Sequence, residues 1–230
     1  MPSLDRWRNM LAGAGAAPTM HAMLDRLRSG GIESERVLAA MSSVPREAFV
    51  TKATVADAYA DRALSIGYRQ TISQPFMVAV LVQALDLQDG DRVLDVGTGS
   101  GYQAAIMAAC GAEVVTIERI PELATAAAAR LERLGIAVEV HTGDGSLGLP
   151  ACGPYDAIAV AAAAPAVPHQ LVEQLKVGGR LVIPVHNPGG VDDLTRVRRD
   201  AASVRSERVG NKCVFVPLIG AAGYPPDGDG

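Results

Sequence analysis

Three closely spaced glycines, Gly97, Gly99 and Gly101, follow the apolar segment 92–96 and precede a helical pattern. Glycine lets the backbone turn sharply and lie close to a ligand, and the N-terminus of the next helix offers unpaired N–H groups. The dinucleotide fingerprint needs its third small residue where this chain has Tyr102. The spacing therefore favours S-adenosylmethionine over a nicotinamide dinucleotide as the ligand of this loop.

Two acidic residues stand near the ends of predicted strands. Asp95 lies near the end of the first strand, and Glu118 ends the second. In open α/β sheets, ligands bind outside the carboxyl ends of the strands, where a carboxylate can accept both hydroxyl protons of an adenosine ribose. We therefore predict that Asp95 and Glu118 belong to the cofactor site.

The triplet Gly143-Asp144-Gly145 follows the third predicted strand. Its glycines would let the carboxylate and the neighbouring amides approach a purine edge, although a turn with an Asx hydrogen bond explains the triplet equally well. Because it follows Asp95 and Glu118 in chain order, we predict that Asp144 and Gly145 contact the adenine.

Strands and helices alternate from residue 91 onward, which indicates a doubly wound, mostly parallel α/β sheet. The predicted parallel strands are 92–96, 113–117, 137–141, 157–160 and 180–184, with helices at 76–85, 101–109, 121–133 and 168–175. Gly178-Gly179 is predicted to end the last helix. An antiparallel pair, 194–199 and 213–218, completes a seven-stranded, Rossmann-like sheet.

Helical spacing at 20–28 and 34–41 predicts two short helices that form an N-terminal cap, with Ser34 as an N-cap. The chain is predicted to form one domain, 19–220, in which 19–75 form the cap and an active-site loop and 76–220 the sheet core. Residues 1–18 are predicted to be a flexible extension. Residues 221–230 are predicted to be a disordered tail.

Composition excludes several classes of function. The net charge of −4 argues against a nucleic-acid surface. The basic stretch is predicted to lie on the solvent side of a hairpin; it contains Arg196, Arg198, Arg199, Arg205 and Arg208. The three cysteines form no C-x-x-C pair, so we predict no disulfide, no metal site and a cytoplasmic protein. No segment is apolar enough to predict a membrane span or a signal peptide.

The chain also lacks the P-loop, the zinc-deaminase signature and the nucleophile elbow. Cofactors that contain phosphate are therefore disfavoured. A cofactor that carries a sulfonium cation is compatible with acidic residues around its binding site. The histidines are scattered, and we predict that they are surface or strand-end residues rather than ligands or bases; they are His21, His141, His169 and His186.

Several segments together resemble a known family. Residues 91–101 resemble the nucleotide loop of class I S-adenosylmethionine-dependent methyltransferases. The segment 66–75, Ile-Gly-Tyr-Arg-Gln-Thr-Ile-Ser-Gln-Pro, is more specific and resembles the signature of protein-L-isoaspartate O-methyltransferases. Shorter matches extend the resemblance from about residue 20 to residue 220; they are 36–41, 44–50, 143–145, 162–168, 174–185 and 215–218.

This resemblance implies methylation of the α-carboxylate of L-isoaspartyl residues in damaged peptides and proteins. It implies that Ser73 lies beside the transferring methyl group. The predicted cofactor residues are Gln70, Thr71, Asp95, Gly97, Thr98, Gly99, Ser100, Gly101, Glu118, Arg119, Asp144 and Gly145. The predicted substrate residues are Ile72, Ser73, Pro184, Val185 and His186. We also expect a monomer.

Three residues depart from the family pattern and bear on substrate preference. Tyr68 stands where many relatives have His, His186 where Gly is usual, and Asp192 at about the place of a frequent Gln. Two alternatives stay open. One is a methyltransferase of the same fold that acts on another peptide carboxylate or a small molecule, and the other is a silent protein that only binds the cofactor or a partner.

Methyl transfer to a carboxylate needs no general base, because the acceptor is already ionised near pH 7. The absence of an obvious His or Lys base is therefore expected. Alignment and exclusion of water remain the tasks of the protein. Ser73 would orient the carboxylate by a hydrogen bond, although an N-cap role for the helix that begins at Phe76 is the alternative.

Overall fold

The computed structural model describes residues 18–226. Helix α1 (Met20–Ser29) begins where the Thr19 hydroxyl accepts a hydrogen bond from the amide of Ala22. Helix α2 (Glu35–Ser43) begins in the same way, with Ser34 accepting from the amide of Val37. The two predicted cap helices are therefore confirmed, including Ser34 as an N-cap.

An irregular segment connects the cap to the sheet. It contains short 3-10 helices at Arg46–Phe49 and Val55–Asp57, and then the hairpin of β1 (Leu64–Gly67) and β2 (Gln70–Ile72). Helix α3 (Pro75–Leu85) follows directly and is apolar on nearly all sides. It packs between the cap helices and the sheet, which explains why most of its side chains are buried.

The central sheet has seven strands in the order β5-β4-β3-β6-β7-β8-β9. Their bounds are β3 (Arg92–Val96), β4 (Glu113–Glu118), β5 (Val138–Thr142), β6 (Tyr155–Val160), β7 (Leu175–Asn187), β8 (Val191–Arg199) and β9 (Val204–Cys213). The connecting helices are α4 (Tyr102–Ala109), α5 (Pro121–Arg133) and α6 (His169–Glu173). Strands β3 to β7 are parallel and the last two pairs are antiparallel, so the predicted fold class is confirmed.

Strand order reverses between β3 and β6. From β3 the chain moves to β4 and β5 on one side, and then returns to place β6 on the other side of β3. The reversal leaves a crevice outside the carboxyl ends of these strands, which is where ligands bind in open α/β sheets. This crevice is the floor of the site described below.

The last part of the sheet differs from the prediction. Gly178-Gly179 do not end a helix, because α6 ends at Glu173 and the glycines form a bulge within β7. The final strand is Val204–Cys213 rather than 213–218, because a long hairpin pairs β8 with β9. Residue propensities do not predict the bulge or the bounds of the last strand, because both are determined by pairing between strands and not by the local sequence.

The predicted solvent-facing arginine hairpin corresponds to β8 and β9 at the sheet edge. Three of its arginines pair with acidic side chains: Arg196 with Glu207, Arg205 with Asp200, and Arg208 with Asp193. Among the helices that the structure describes, none is long and apolar enough to cross a membrane.

The chain end also differs from the prediction over residues 221–224. The amides of Ala221 and Ala222 donate to the side chains of Asp144 and Ser146, and Tyr224 pairs with Leu218. Backbone hydrogen bonds of this kind explain why the segment is ordered despite its Pro and Gly content. The predicted extension 1–18 lies outside the described residues, apart from Pro18.

Candidate active site

A cleft lies at the carboxyl ends of β3 and β4. The glycine loop forms one wall, the segment that runs from β2 into α3 a second, and residues 216–219 a third. Most of the predicted site residues line it: Gln70, Thr71, Ile72, Ser73, Gly97, Thr98, Gly99, Ser100, Glu118, Arg119 and Gly145. The structure therefore brings the segment 70–73 and the glycine loop, which are distant in sequence, to one cavity.

The glycine loop curves because three of its residues adopt positive φ: +93° at Gly97, +51° at Gly99 and +88° at Gly101. Such a backbone is easily accessible only to glycine. The amides of this loop are engaged within the protein: Gly97 donates to the Ile117 carbonyl at 2.9 Å, and Gly101 to the Thr98 carbonyl at 2.8 Å. These two N–H groups are therefore not available to cradle a pyrophosphate.

Glu118 is the acidic residue at the floor of the cleft, and its side chain is nearly buried. One carboxylate oxygen accepts a hydrogen bond from the amide of Gly99 at 2.9 Å, and the other from the amide of Ile120 at 3.0 Å. The remaining lone pairs of both oxygens can accept further protons. The carboxylate thus fixes the glycine loop and can also accept from a diol in the cleft.

Asp95 is fully buried beneath the glycine loop and is not among the residues that line the cleft. Its direct contact with the cofactor stays a prediction. Its carboxylate accepts hydrogen bonds from the Gln103 amide at 2.7 Å and the Thr116 hydroxyl at 3.1 Å. Thr116 in turn lies 2.7 Å from the Thr98 hydroxyl in the loop. Asp95 therefore positions the loop from below.

Burial raises the pKa of Asp95 to about 7, against the lowering effect of the hydrogen bonds from Gln103 and Thr116. The folded state thus binds this proton more tightly than the unfolded chain, in which an Asp pKa is about 3.9. Through this group, the free energy of unfolding falls as pH rises from about 4 to about 7 and is then constant.

We expect Asp95→Asn to remove this pH-dependent penalty. The Asn oxygen can accept one of the two hydrogen bonds, and its NH₂ group can donate the other, because the Gln103 amide and the Thr116 hydroxyl can each act as donor or acceptor. Urea unfolding should show the variant more stable than wild type by roughly 2–4 kcal/mol at pH 8, with the difference vanishing near pH 4. Asp156→Asn is the control of opposite sign, since hydrogen bonds from Lys176 and Arg92 outweigh burial and hold the pKa of Asp156 below its usual range. A destabilised Asp95→Asn variant at pH 8 would contradict this account.

Asp144 and Gly101 also lie outside the cleft lining, and their contacts with the cofactor stay predictions. The Asp144 carboxylate accepts from the amide and hydroxyl of Ser146 and from the amide of Ala221. Although burial opposes it, these hydrogen bonds hold the pKa of Asp144 below its usual range. The triplet is thus an Asx-type turn that anchors the chain end, while Gly101 packs against Leu131 of α5.

Ser73 lies on the cleft wall, between β2 and α3. It is not the N-cap of α3, because that position belongs to Gln74, and the Phe76 amide in the first turn donates to the Asp61 carboxylate at 3.0 Å. The structure therefore rejects the N-cap alternative. The Ser73 side chain is free of a capping role and borders the cavity.

Arg46 fixes the backbone of the Ser73 segment by hydrogen bonding. Its fully buried guanidinium donates to the Ser73 carbonyl and to the Ala58 carbonyl, each at 2.7 Å. The same group stacks over the ring of Tyr102, 4.7 Å from the centroid, and Tyr102 also lines the cleft. Burial lowers the pKa of Arg46. This side chain joins the cap, the active-site segment and α4.

The third wall, residues 216–219, was not predicted from the sequence, which assigned most of it to a strand. Ala163 fixes it, donating to the Val216 carbonyl at 2.8 Å and accepting from the Leu218 amide at 2.7 Å. Other lining residues that the sequence did not predict are Val78, Val96, Tyr102, Gln103, Ile117, Ala161 and Ala162. These residues are mostly apolar. Apolar side chains do not form a recognisable binding or catalytic motif, so the sequence contains no signal for them.

Three predicted substrate residues lie elsewhere. Val185 and His186 line a separate surface depression between β7, β8 and β9, which shares no lining residue with the cleft, and Pro184 lines neither. The His186 ring lies 3.3 Å from the Asp192 carboxylate. The structure does not bring these residues to the cleft, because β7 continues past them as a strand paired with β8.

The chemistry of the cleft suits a nucleoside that carries a sulfonium. Glu118 and Arg119 are its two charged lining residues within the described chain, and much of the wall is apolar. A carboxylate at the end of the second parallel strand, facing the glycine loop, matches a ribose diol. The arrangement fits S-adenosylmethionine and offers little to a phosphate.

The doubly wound sheet, the glycine loop and Glu118 together define a class I S-adenosylmethionine-dependent methyltransferase. Within this class, the chain belongs to the protein-L-isoaspartate(D-aspartate) O-methyltransferase family, whose sequence model matches residues 18–223.

Curated relatives support this assignment along most of their length. The protein-L-isoaspartate O-methyltransferase of Methanoculleus marisnigri is 48% identical over 200 residues, which cover 86% of this chain and 90% of that protein. Protein-L-isoaspartate O-methyltransferase 2 of Pelobacter propionicus is 51% identical over 202 residues, covering 87% of this chain and 89% of that protein.

Solved structures agree. A protein-L-isoaspartate O-methyltransferase superposes with a TM-score of 0.80 at 29% identity, over 89% of this chain and 67% of that one. A Plasmodium falciparum structure, described as a putative protein-L-isoaspartate O-methyltransferase in complex with S-adenosyl-L-homocysteine, gives a TM-score of 0.74 at 26% identity. The match covers 86% of this chain and 97% of that one.

Proposed function

We propose that the cleft transfers the methyl group of S-adenosylmethionine to the α-carboxylate of L-isoaspartyl residues in damaged proteins and peptides. One observation carries this proposal: Ser73, anchored by Arg46, shares a cavity with the glycine loop and Glu118. Acceptor-side and cofactor-side residues thus border the same space.

The cofactor side of the proposal involves the residues that line the cleft. Glu118 would accept hydrogen bonds from the ribose hydroxyls, while Gly97, Gly99 and Gly145 let the backbone lie flush against the nucleoside. Gly145 has no room for a side chain, because a Cβ there would lie 2.7 Å from Val96. When bound, S-adenosylmethionine supplies an activated methyl group on a sulfonium.

The acceptor side needs orientation rather than acid–base chemistry. The isoaspartyl carboxylate is ionised near pH 7, so no side chain must remove a proton. The Ser73 hydroxyl would donate a hydrogen bond to one carboxylate oxygen and aim the other oxygen at the methyl group. Residues 216–219 would help to exclude water, because they form part of the cavity wall.

We further propose a monomer that works in the cytoplasm. Its three free cysteines, at positions 110, 152 and 213, support a reducing compartment.

The Ser73→Ala variant tests the acceptor side. Hydrogen bonds to charged groups contribute about 1.5–3 kcal/mol, so kcat and kcat/KM for an isoaspartyl peptide should fall together by roughly 10- to 100-fold. Cofactor affinity and the melting temperature should stay at the wild-type values, because Ser73 caps no helix. Ser65→Ala, on the neighbouring strand β1, is the matched control. A fully active Ser73→Ala enzyme would refute this role.

A further inference from the structure

A second cluster of chemically active side chains lies away from the cleft, at the β5 edge of the sheet. The His141 Nε2 atom lies 2.7 Å from a Glu139 carboxylate oxygen and 3.9 Å from the Cys152 sulfur. Within residues 18–226, these three form the one group of His, Cys, Asp or Glu residues whose ligand atoms all lie within 4.8 Å of one another.

The fold fixes the cluster from two directions. Glu139 and His141 alternate along β5, so they project from the same face, while Val138 and Val140 pack toward α5 on the other. Cys152 ends a 3-10 helix, and its carbonyl accepts a hydrogen bond from the Arg92 guanidinium at 2.6 Å. A rigid strand and a tethered turn therefore present the three side chains to each other.

These are ligand types that zinc prefers: a thiolate, an imidazole nitrogen and a carboxylate oxygen. Ligand atoms around a tetrahedral zinc stand roughly 3.3–3.6 Å apart, given bonds of about 2.0–2.3 Å. The distances of 2.7 and 3.9 Å bracket this value, and the ligand atoms of Glu139 and Cys152 lie within 4.8 Å of each other, so rotations of the side chains could bring all three to one ion. The charges of one thiolate and one carboxylate balance those of a divalent cation, although the Arg92 guanidinium nearby opposes binding.

We propose that Glu139, His141 and Cys152 bind a zinc-class transition-metal ion, with a solvent molecule as the fourth ligand. The half-buried His141 and Cys152 leave one side open to water, as this coordination requires. The metal ties the edge strand β5 to the segment 150–152. This proposal departs from the sequence-based expectations of no metal site and of a histidine that is not a ligand. The spacing of the three residues in the sequence matches no known metal-binding motif. They come close to one another only in the folded chain.

Cobalt(II) titration of the chelator-treated full-length protein tests the site, because a thiolate ligand produces an intense near-ultraviolet charge-transfer band. We expect this band at one equivalent of cobalt, displacement by zinc, and a zinc-dependent rise in melting temperature. Cys152→Ser and His141→Ala should abolish the band and weaken zinc binding by at least roughly 10- to 100-fold, since even the loss of an outer partner of a ligand costs that much.

Two controls isolate the cluster. His169→Ala removes another exposed histidine, which pairs with Glu173 but has no cysteine beside it, and Cys110→Ser removes a buried thiol; both should leave the band intact. If His141→Ala fails to fold, Glu139→Gln tests the same site with a smaller change. No band in wild type, or a band that survives in Cys152→Ser, would overturn the proposal. Methyl transfer should be unaffected in Cys152→Ser, so this test is independent of the proposed function.

Discussion

Replacing Arg46 by methionine is expected to lower the melting temperature by roughly 5–15 °C, which corresponds to a loss of about 2–4 kcal/mol in a chain of this size. Methionine fills much of the same volume but donates no hydrogen bond. The carbonyls of Ala58 and Ser73 would therefore lose their guanidinium donor in a buried environment. The stacking of the guanidinium on Tyr102 would be lost as well.

Catalysis should suffer beyond this loss of stability, because the Ser73 carbonyl is one of the groups that Arg46 holds. We expect kcat to fall at least about tenfold even well below the melting temperature, since a small displacement of a positioning group is costly. Arg62→Met, in the same segment but exposed, is the control, and it should change neither quantity. An Arg46→Met enzyme that is less stable but has normal kcat when folded would show that Arg46 only stabilises the fold.

Glu118→Gln is expected to weaken S-adenosylmethionine binding by roughly 10- to 100-fold, the equivalent of about 1.5–3 kcal/mol. Both carboxylate oxygens accept backbone hydrogen bonds, from Gly99 and Ile120. Glutamine has a single acceptor oxygen, so its NH₂ group would face one of these amides and push the glycine loop aside. The same change would remove an acceptor for the ribose diol.

Isothermal titration calorimetry measures this effect directly. Glu113→Gln is the matched control, because Glu113 lies at the opposite end of the same strand and its side chain is largely exposed. The control variant should bind the cofactor as wild type does. If Glu118→Gln also bound with unchanged affinity, the carboxylate would not hold the cofactor.

The parallel strands and their order along the chain could be predicted because most of them contain short apolar runs, such as those at 92–96, 113–117 and 157–160, that alternate with helical patterns. Apolar residues at helical spacing predicted the two cap helices, where Thr19 and Ser34 supply side-chain caps. The glycine loop and Glu118 could be predicted as cofactor residues because each requires a particular residue type at a particular position after a strand. All of these features are determined by short stretches of sequence, so a local sequence pattern is enough to predict them.

The remaining features depend on tertiary contacts. Asp95 and Asp144 have the residue type of a ligand, but neighbours from other elements, Thr116 and Ala221 among them, occupy their carboxylates. The bulge at Gly178-Gly179 arises from pairing with β6. The cleft wall at 216–219 has no sequence motif, because it contributes only its shape. Arg46 has none either, because it acts by donating to two carbonyls that are distant from it in sequence.

A paired peptide assay tests the central claim most directly. The full-length protein is incubated with labelled S-adenosylmethionine and either an isoaspartyl peptide or its aspartyl twin, which has the same composition and charge. We predict base-labile methyl incorporation into the isoaspartyl peptide, S-adenosylhomocysteine formed in equal amount, and no incorporation into the twin. Equal methylation of both peptides, or methylation of neither while the cofactor still binds, would contradict the account.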